Sequence, residues 1–147
     1  MFRTFLTMAL FGLFLTTNSM SAFAGAPMDE NAFKKLLADN SPWGVTWEEI
    51  GGKFRTGTHK LQITRANDGT LAGVLLRESG EQFSSLEKVT VMKNEKGENC
   101  LTFTSPWVKR DYHYCLEKDG NLKGTYKGVT SGGHRFGGNA VAKPNKR

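Results

Sequence analysis

Residues 119–126 read DGNLKGTY, and residues 68–75 read DGTLAGVL with the same spacing. Asp-Gly is a strong hairpin signal, because the turn needs a positive φ that glycine adopts without a steric penalty. The Leu, Gly and Leu or Tyr that follow recur at a period of two, which predicts a strand with one buried face. The repeat therefore predicts how the chain folds, and it gives no information about a ligand.

From residue 43 onward the sequence continues as short runs of alternating apolar and polar residues separated by turns. Because the connections are much shorter than a parallel crossover, neighbouring strands are expected to be antiparallel. Closing such a meander into a barrel removes both of its exposed edges. The predicted fold class is therefore all-β, a single eight-stranded antiparallel up-and-down barrel with one short N-terminal helix. The predicted strands are 43–50, 58–66, 70–78, 86–93, 99–104, 111–118, 121–129 and 134–142.

The one predicted helix covers residues 29–40, where acidic residues come first and lysines follow. Phe33, Leu36 and Leu37 fall on one face, and Ser41-Pro42 ends the helix. A short helix ahead of a sheet is expected to cap one end of that sheet. We assign residues 25–42 to this helix and its lead-in, 43–142 to the barrel and 143–147 to a basic tail.

The N-terminal residues 1–24 have the pattern of a cleaved signal peptide. Arg3 precedes an apolar run at residues 5–15, and Ala22-Phe23-Ala24 fits the small-x-small cleavage rule. A membrane anchor is disfavoured because the run has about half of the ~20 residues that a spanning helix needs. The sequence thus predicts a periplasmic or secreted protein with no transmembrane segment in the mature chain.

The charge pattern narrows the class of partner. The chain of 147 residues carries a formal charge of +6, which falls to about +5 when Arg3 leaves with the signal peptide. The cations are scattered, without the run of five or six like charges that marks a nucleic-acid arm. An oligonucleotide-binding barrel is the weaker option, because such barrels use five strands. An envelope or extracellular protein, or an acidic glycan, is the favoured macromolecular partner.

The two cysteines can be placed by hairpin arithmetic. Centring a turn on residues 105–110 sets Cys100 directly opposite Cys115, at a separation that a disulfide tolerates. A metal pair and a reactive thiol are the alternatives, but an exported chain with two cysteines favours the disulfide. The register places both sulfurs on the polar face, as an external staple. A three-residue loop is predicted to pair Tyr114 with Tyr126 in the next hairpin.

Three glycines, Gly73, Gly124 and Gly138, are expected between large inward-facing residues. A missing side chain there lets a strand coil sharply or leaves room in the interior. The sequence is compatible with both uses.

The chain resembles the calycin class of small up-and-down barrels, the lipocalin-like and avidin-like proteins. The resemblance spans residues 43–142 and is carried by Trp43-Gly44-Val45-Thr46-Trp47 and by the repeated Asp-Gly hairpins. It implies a barrel with one end open to a small apolar or amphipathic ligand. Trp47 is followed by Glu48-Glu49, and residues 88–92 contain no Trp, so the chain lacks the biotin-site pattern and no binding residue is carried over.

Patterns of catalysis are weak in this sequence. His59, His113 and His134 are isolated, so no metal site is predicted. Glu48 and Glu49 point to opposite faces of a strand, and no nucleophile elbow occurs. We expect no catalytic residue, no cofactor and no enzymatic activity.

Two binding functions remain. In the first, an exported protein holds a small hydrophobic or amphipathic ligand inside the barrel, since eight strands enclose either a filled core or one small ligand. In the second, the barrel is a solid scaffold for an interaction module, such as a hydrolase inhibitor or adhesin-like protein.

Trp43 and Trp47 are expected to plug the closed end of the barrel. The candidate interior ligand contacts are Trp47, Phe103, Tyr112, Tyr114 and Tyr126, and the candidate partner contacts are Trp107, Lys109 and Arg110 of a loop.

Overall fold

The computed structural model describes residues 28–50 and 55–146, so the predicted signal peptide lies outside the described residues. One helix, α1 (Glu30–Asp39), precedes nine strands. The strands are β1 (Trp43–Ile50), β2 (Thr56–Arg65), β3 (Leu71–Leu76), β4 (Gln82–Ser85), β5 (Glu87–Lys93), β6 (Asn99–Ser105), β7 (Arg110–Leu116), β8 (Leu122–Val129) and β9 (Arg135–Lys143). The all-β barrel with one N-terminal helix is therefore confirmed, with nine strands where eight were predicted.

All strands belong to one antiparallel sheet in the order β4-β3-β2-β1-β9-β8-β7-β6-β5. The first strand pairs with the last from Gly44 opposite Lys143 to Ile50 opposite Gly137. The two edge strands, β4 and β5, are separated only by Leu86, whose N–H donates to the Gly73 carbonyl at 2.9 Å. The sheet is consequently a nearly closed barrel whose one seam lies between β4 and β5.

The additional strand β4 bridges this seam. A hydrogen bond of 2.8 Å joins the hydroxyls of Ser84 in β4 and Ser105 in β6, and both residues are buried. The sequence of β4 is QFSS, which is short and has no alternation of apolar residues, so the periodicity that predicts the other strands is absent from it.

One turn type recurs throughout the barrel. The φ of Gly69 is +85° and that of Gly120 is +83°, while Asp68 and Asp119 each accept a hydrogen bond from the backbone N–H two residues on. The same backbone hydrogen bonds, with a glycine at positive φ, close the turns at residues 77–81, 94–98 and 130–134. The two Asp-Gly repeats are thus the clearest copies of a turn that occurs five times within residues 28–50 and 55–146.

Helix α1 closes one end of the barrel, as predicted. Asp29 caps its first turn by accepting from the Ala32 N–H, and Phe33 and Leu37 are fully buried. The indole Nε1 of Trp43 donates to the Leu37 carbonyl at 2.9 Å. The helix and the start of β1 therefore form a sealed end of the barrel.

The hairpin register around the cysteines is confirmed. Cys100 pairs with Cys115 across β6 and β7, and a disulfide joins them. The next register differs from the prediction by two residues, because Tyr112 rather than Tyr114 lies opposite Tyr126. The three-residue loop itself forms between Glu117 and Asn121. An even shift leaves every side chain on its predicted face.

Candidate functional site

A cavity of about 340 Å³ lies at the end of the barrel opposite α1. It is formed by the C-terminal end of β1, the N-terminal ends of β2 and β7, and the β6–β7 loop. Its walls are rich in aromatic rings, with charged groups at intervals. The lining residues are Trp47, Thr58, His59, Arg77, Glu78, Phe83, Trp107, Val108, Arg110 and Tyr112.

Trp47 lies in this cavity wall and is half-buried. The expectation that it plugs the closed end with Trp43 is wrong. The two tryptophans are four positions apart along an extended strand, so only Trp43 reaches the sealed end. The indole of Trp47 lies directly over Gly57 in the neighbouring strand, where any side chain would overlap the ring. Gly57 thereby fixes the position of the indole at the cavity.

The other four candidate interior contacts form a continuous aromatic stack. Phe103 and Tyr112 lie 4.8 Å apart between ring centroids, Tyr112 and Tyr114 6.0 Å, and Tyr112 and Tyr126 5.8 Å. Phe103 and Tyr114 are buried in the core, whereas Tyr112 also lines the cavity. The middle of the barrel is thus filled by rings, and open space begins above Tyr112. The role of these residues as ligand contacts stays a prediction.

Arg110 is the central charged group of the site. Its guanidinium carbon lies 5.1 Å from the ring centroid of Trp47, 5.0 Å from that of Tyr126 and 5.2 Å from that of Phe136. Such cation–π contacts each contribute about 0.5–2 kcal/mol, depending on desolvation. Its Nε–H is buried without a hydrogen-bond partner among the described residues. The sequence predicted Arg110 for a loop contact with a partner, and the structure places it in the cavity wall.

His59 faces the same cavity from β2 and is 5% exposed. Its ring makes edge contacts with Phe83 and Tyr112, at centroid distances of 6.1 Å and 6.3 Å. Burial, with a smaller contribution from the positive charge of Arg110, lowers the pKa of His59 to about 4. His59 is therefore neutral near pH 7, and its buried Nε2 has no partner in the described part of the chain.

The tyrosines of the site also remain neutral. Burial raises the pKa of Tyr112 and of Tyr126, and it raises that of the fully buried Tyr114 well above its ordinary value. The hydroxyls of Tyr114 and Tyr126 have no hydrogen-bond partner among residues 28–50 and 55–146. The site thus combines the Arg110 cation, which lies against aromatic rings, with neutral groups that can donate a hydrogen bond.

The β6–β7 loop covers part of the cavity. Trp107 makes an edge contact with Phe83 at 5.8 Å between ring centroids, yet 66% of it is exposed. It therefore lines the cavity with one part of its surface and offers the rest to solvent. Lys109 is exposed at the same loop and does not belong to the cavity lining.

The disulfide lies on the outer face, away from this cavity. The Nε2 atom of His113 lies 3.3 Å from the Cys115 sulfur, so Cys100, His113 and Cys115 form a cluster of potential metal ligands in the described part. Metal binding by cysteine requires thiolates, and both sulfurs are already bonded to each other. This cluster is a covalent staple of the fold.

A larger depression, of about 580 Å³, lies on the polar outer face of β5, β6, β7 and β8. Its lining is mostly threonine and lysine side chains, and it also includes Phe103 and Tyr112. Thr90 and Thr102 are hydrogen-bonded to each other there, as are Thr104 and Asp111. Because these polar groups already have partners, we place the candidate site at the aromatic cavity instead.

No protein-family model matches this chain, and no curated protein matches its sequence. The class is therefore defined by the fold: a nearly closed antiparallel barrel, consistent with calycin-like barrels in general, with one sealed end and an aromatic cavity at the other. Its disulfide fits a periplasmic or extracellular compartment. Among the described residues, none of the helices is long and apolar enough to span a bilayer.

Sequence reasoning missed His59, Arg77 and Phe83 as cavity residues. A signal for His59 exists, since it shares the period-two inward face of β2 with Leu61 and Ile63. Phe83 belongs to β4, the strand that lacks a periodic pattern, and sequence position alone does not bring it near Trp107.

The buried His59 predicts a pH dependence of stability. Its folded-state pKa of about 4 lies below the ordinary value of 6.5, so the unfolded chain takes up the proton first as the pH falls. The free energy of unfolding is expected to decrease by up to about 3 kcal/mol between pH 6.5 and pH 4 for this reason. Urea unfolding of the original protein and of His59→Phe across this pH range isolates the contribution of His59 to the free energy of unfolding. Parallel pH curves for the two proteins would contradict it.

Proposed function

We propose that this protein is an exported, non-enzymatic binding protein that holds a small hydrophobic or amphipathic molecule at the open end of its barrel, in the manner of the calycins. The observation that carries the proposal is the cavity of about 340 Å³ with aromatic walls. Small-molecule sites have volumes of roughly 300–1,000 Å³ and are lined mainly by apolar and aromatic side chains with a few polar groups. The ligand is therefore a small one, at the lower end of that range.

Two further features support this function. The aromatic stack below Tyr112 fills the barrel, which gives the cavity a rigid floor rather than a deep tunnel. The signal-peptide pattern and the disulfide are typical of exported proteins, which favours a ligand in the periplasm or outside the cell.

Binding of N-phenyl-1-naphthylamine, a neutral fluorescent apolar probe, tests the proposal. We expect one probe per chain and a fluorescence increase on binding, because the probe leaves water for the aromatic cavity. Trp47→Ala removes a wall of the cavity and is expected to weaken binding at least about fivefold. Thr102→Ala, in the depression on the outer face, is the matched control and is expected to bind like the original protein. No probe binding by the folded protein would reject the function.

A second candidate function, an interaction module, is favoured by one observation, the 66% exposure of Trp107 at a loop tip beside Lys109. Exposed aromatic residues of this kind anchor protein and glycan partners. Native mass spectrometry of the protein purified from its own host separates the two functions. A co-purifying small molecule supports the cavity function, and a stoichiometric polypeptide lost on Trp107→Ala supports the interaction module.

A further inference from the structure

We infer that the ligand of the cavity carries an anionic group, a carboxylate, sulfate or phosphate, which binds the guanidinium of Arg110. The inference rests on the proposed function, because it names the class of molecule that the same cavity selects. The apolar part of this organic anion lies against Trp47, Phe83 and Trp107.

Arg110 has no counter-ion of its own among the described residues. All 14 Asp and Glu side chains of the sequence lie within the described residues. Four ion pairs within 4.0 Å are found there, and Arg110 takes part in none of them. Its neighbour Asp111 instead accepts a hydrogen bond from the hydroxyl of Thr104 on the outer face. Thus no acidic side chain of the chain forms an ion pair with this guanidinium.

The guanidinium of Arg110, a half-buried residue, lies in an aromatic environment. Three aromatic rings surround the guanidinium at 5.0–5.2 Å, and its Nε–H is buried without a partner among the described residues. Arginine is rarely buried unless it is paired, because desolvation of the charge is costly. Aromatic faces offset part of this cost, but they accept none of the hydrogen bonds that the guanidinium fork can donate. A planar oxyanion accepts two of those bonds at once.

Two neutral side chains with polar atoms that lack a partner among the described residues lie against Arg110 or in the same cavity wall. The hydroxyl of Tyr126 has no partner in the described residues, and the Tyr126 ring lies against the Arg110 guanidinium. His59 Nε2, in the cavity wall, is also unpartnered within that part of the chain. Both residues are uncharged near pH 7. His59, in the cavity lining, can therefore donate to an oxyanion there without adding a second charge, whereas Tyr126 contacts Arg110 from outside the lining.

The charges of the cavity wall set a limit on the ligand. Glu78 is the one carboxylate among the cavity-lining residues, and the second lining cation, Arg77, pairs with Glu81. The charge of Arg110 therefore remains without an ion pair inside the cavity, where it attracts an anion and repels a cation. The cavity is consequently selective for the sign of the ligand charge.

Three probes of equal chain length, octanoate, 1-octanol and octylamine, test the inference by isothermal titration or by displacement of N-phenyl-1-naphthylamine at pH 7.5. We expect octanoate to bind at least about tenfold more tightly than octanol, because only the carboxylate accepts charge-assisted hydrogen bonds from the guanidinium, and octylamine to bind most weakly. Octyl sulfate and octyl phosphate are expected to follow octanoate.

The variant Arg110→Gln is expected to lose about tenfold or more in octanoate affinity while octanol binding stays within about threefold. Arg110→Lys keeps the charge without the planar fork, and we expect intermediate affinity. Arg65→Gln removes an exposed arginine at the other end of β2, outside the cavity lining, and is the matched control, expected to leave the preference for octanoate unchanged. Near-ultraviolet circular dichroism checks that each variant keeps its aromatic packing.

The outcomes separate this inference from the function on which it rests. Equal affinity for octanoate and octanol, or bound naphthylamine that octanoate does not displace, overturns the anion site and leaves the binding function standing. Failure of the naphthylamine and all octyl probes to bind overturns both. An octanoate preference that Arg110→Gln and Arg110→Lys retain overturns the assignment to Arg110.

Discussion

Replacing Gly124 by Ala is expected to reduce the free energy of unfolding by about 3 kcal/mol or more, far beyond the usual effect of one added methyl group. A Cβ at this position would overlap the backbone carbonyl oxygen of His113 on the adjacent strand and approach the Cα of Tyr114 to 2.8 Å. These are backbone atoms of a paired strand, so the clash is relieved only by moving β7 away from β8. Chemical denaturation measures the loss, and a thermal midpoint lower by roughly 10 °C is expected with it.

Two other glycines supply matched controls for this substitution. Gly44 lies in the interior of β1, and no atom lies within 4 Å of the position that a Cβ would occupy, so Gly44→Ala is expected to be neutral or slightly stabilising. At Gly73 the nearest atoms are side-chain methyl groups of Leu86 and Ile63, at 2.8 Å and 2.9 Å, which leaves room for adjustment. A Gly124→Ala protein as stable as Gly44→Ala would contradict the close approach of β7 and β8.

These positions resolve the two uses of glycine that the sequence left open. At Gly124 and Gly138 the obstruction is the backbone of the neighbouring strand, which identifies tight coiling of the barrel as the reason for glycine. At Gly73 the nearest atoms belong to packed side chains, so the glycine leaves room for those side chains in the barrel interior. Gly138 has both features, since the Tyr126 hydroxyl lies 2.7 Å from the position of a Cβ. The coil of β9 thus helps to seat the tyrosine that lies against Arg110.

The parts of the fold that were predictable from sequence depend on local chemistry. Asp-Gly turns fix short antiparallel connections, and the turn at residues 105–110 sets Cys100 against Cys115 without any knowledge of the rest of the chain. The helix was predictable because its capping residue Asp29 and the apolar face with Phe33 and Leu37 are close together in sequence. In each case the deciding residues lie within about 15 positions of each other.

The candidate site was less predictable, because it depends on how the barrel closes. Arg110 occurs in a loop-like run beside Lys109, and sequence gives no reason why one of the two joins Trp47 and Phe136 in a cavity wall. That placement follows from the pairing of β7 with β8, of β8 with β9 and of β9 with β1, which brings together positions 110, 136 and 47. Trp47 was misplaced for the same reason: the alternation that identifies its face does not identify which end of the barrel is sealed.

Removing the disulfide by the double substitution Cys100→Ala with Cys115→Ala is expected to reduce the free energy of unfolding by about 3 kcal/mol. The bond closes a loop with a sequence separation of 15 residues, and in the chain-entropy account its loss gives the unfolded chain more conformations. Two alanines avoid both a reactive free thiol and a buried hydroxyl at Cys100, which is fully buried. Urea unfolding of the variant and of the original protein measures the difference.

The same experiment distinguishes a staple from a functional group. Cys100 and Cys115 lie on the outer face near the sealed end, and neither lines the aromatic cavity. The double variant is therefore expected to bind N-phenyl-1-naphthylamine with unchanged affinity at temperatures where it remains folded, and the reduced original protein should match it in stability. Unchanged stability would show that the reduced hairpin is already held by its register alone. Loss of probe binding in a folded variant would instead show that the outer face and the cavity are coupled. That result would contradict the separation of the disulfide between β6 and β7 from the site that Arg110 and Trp47 form.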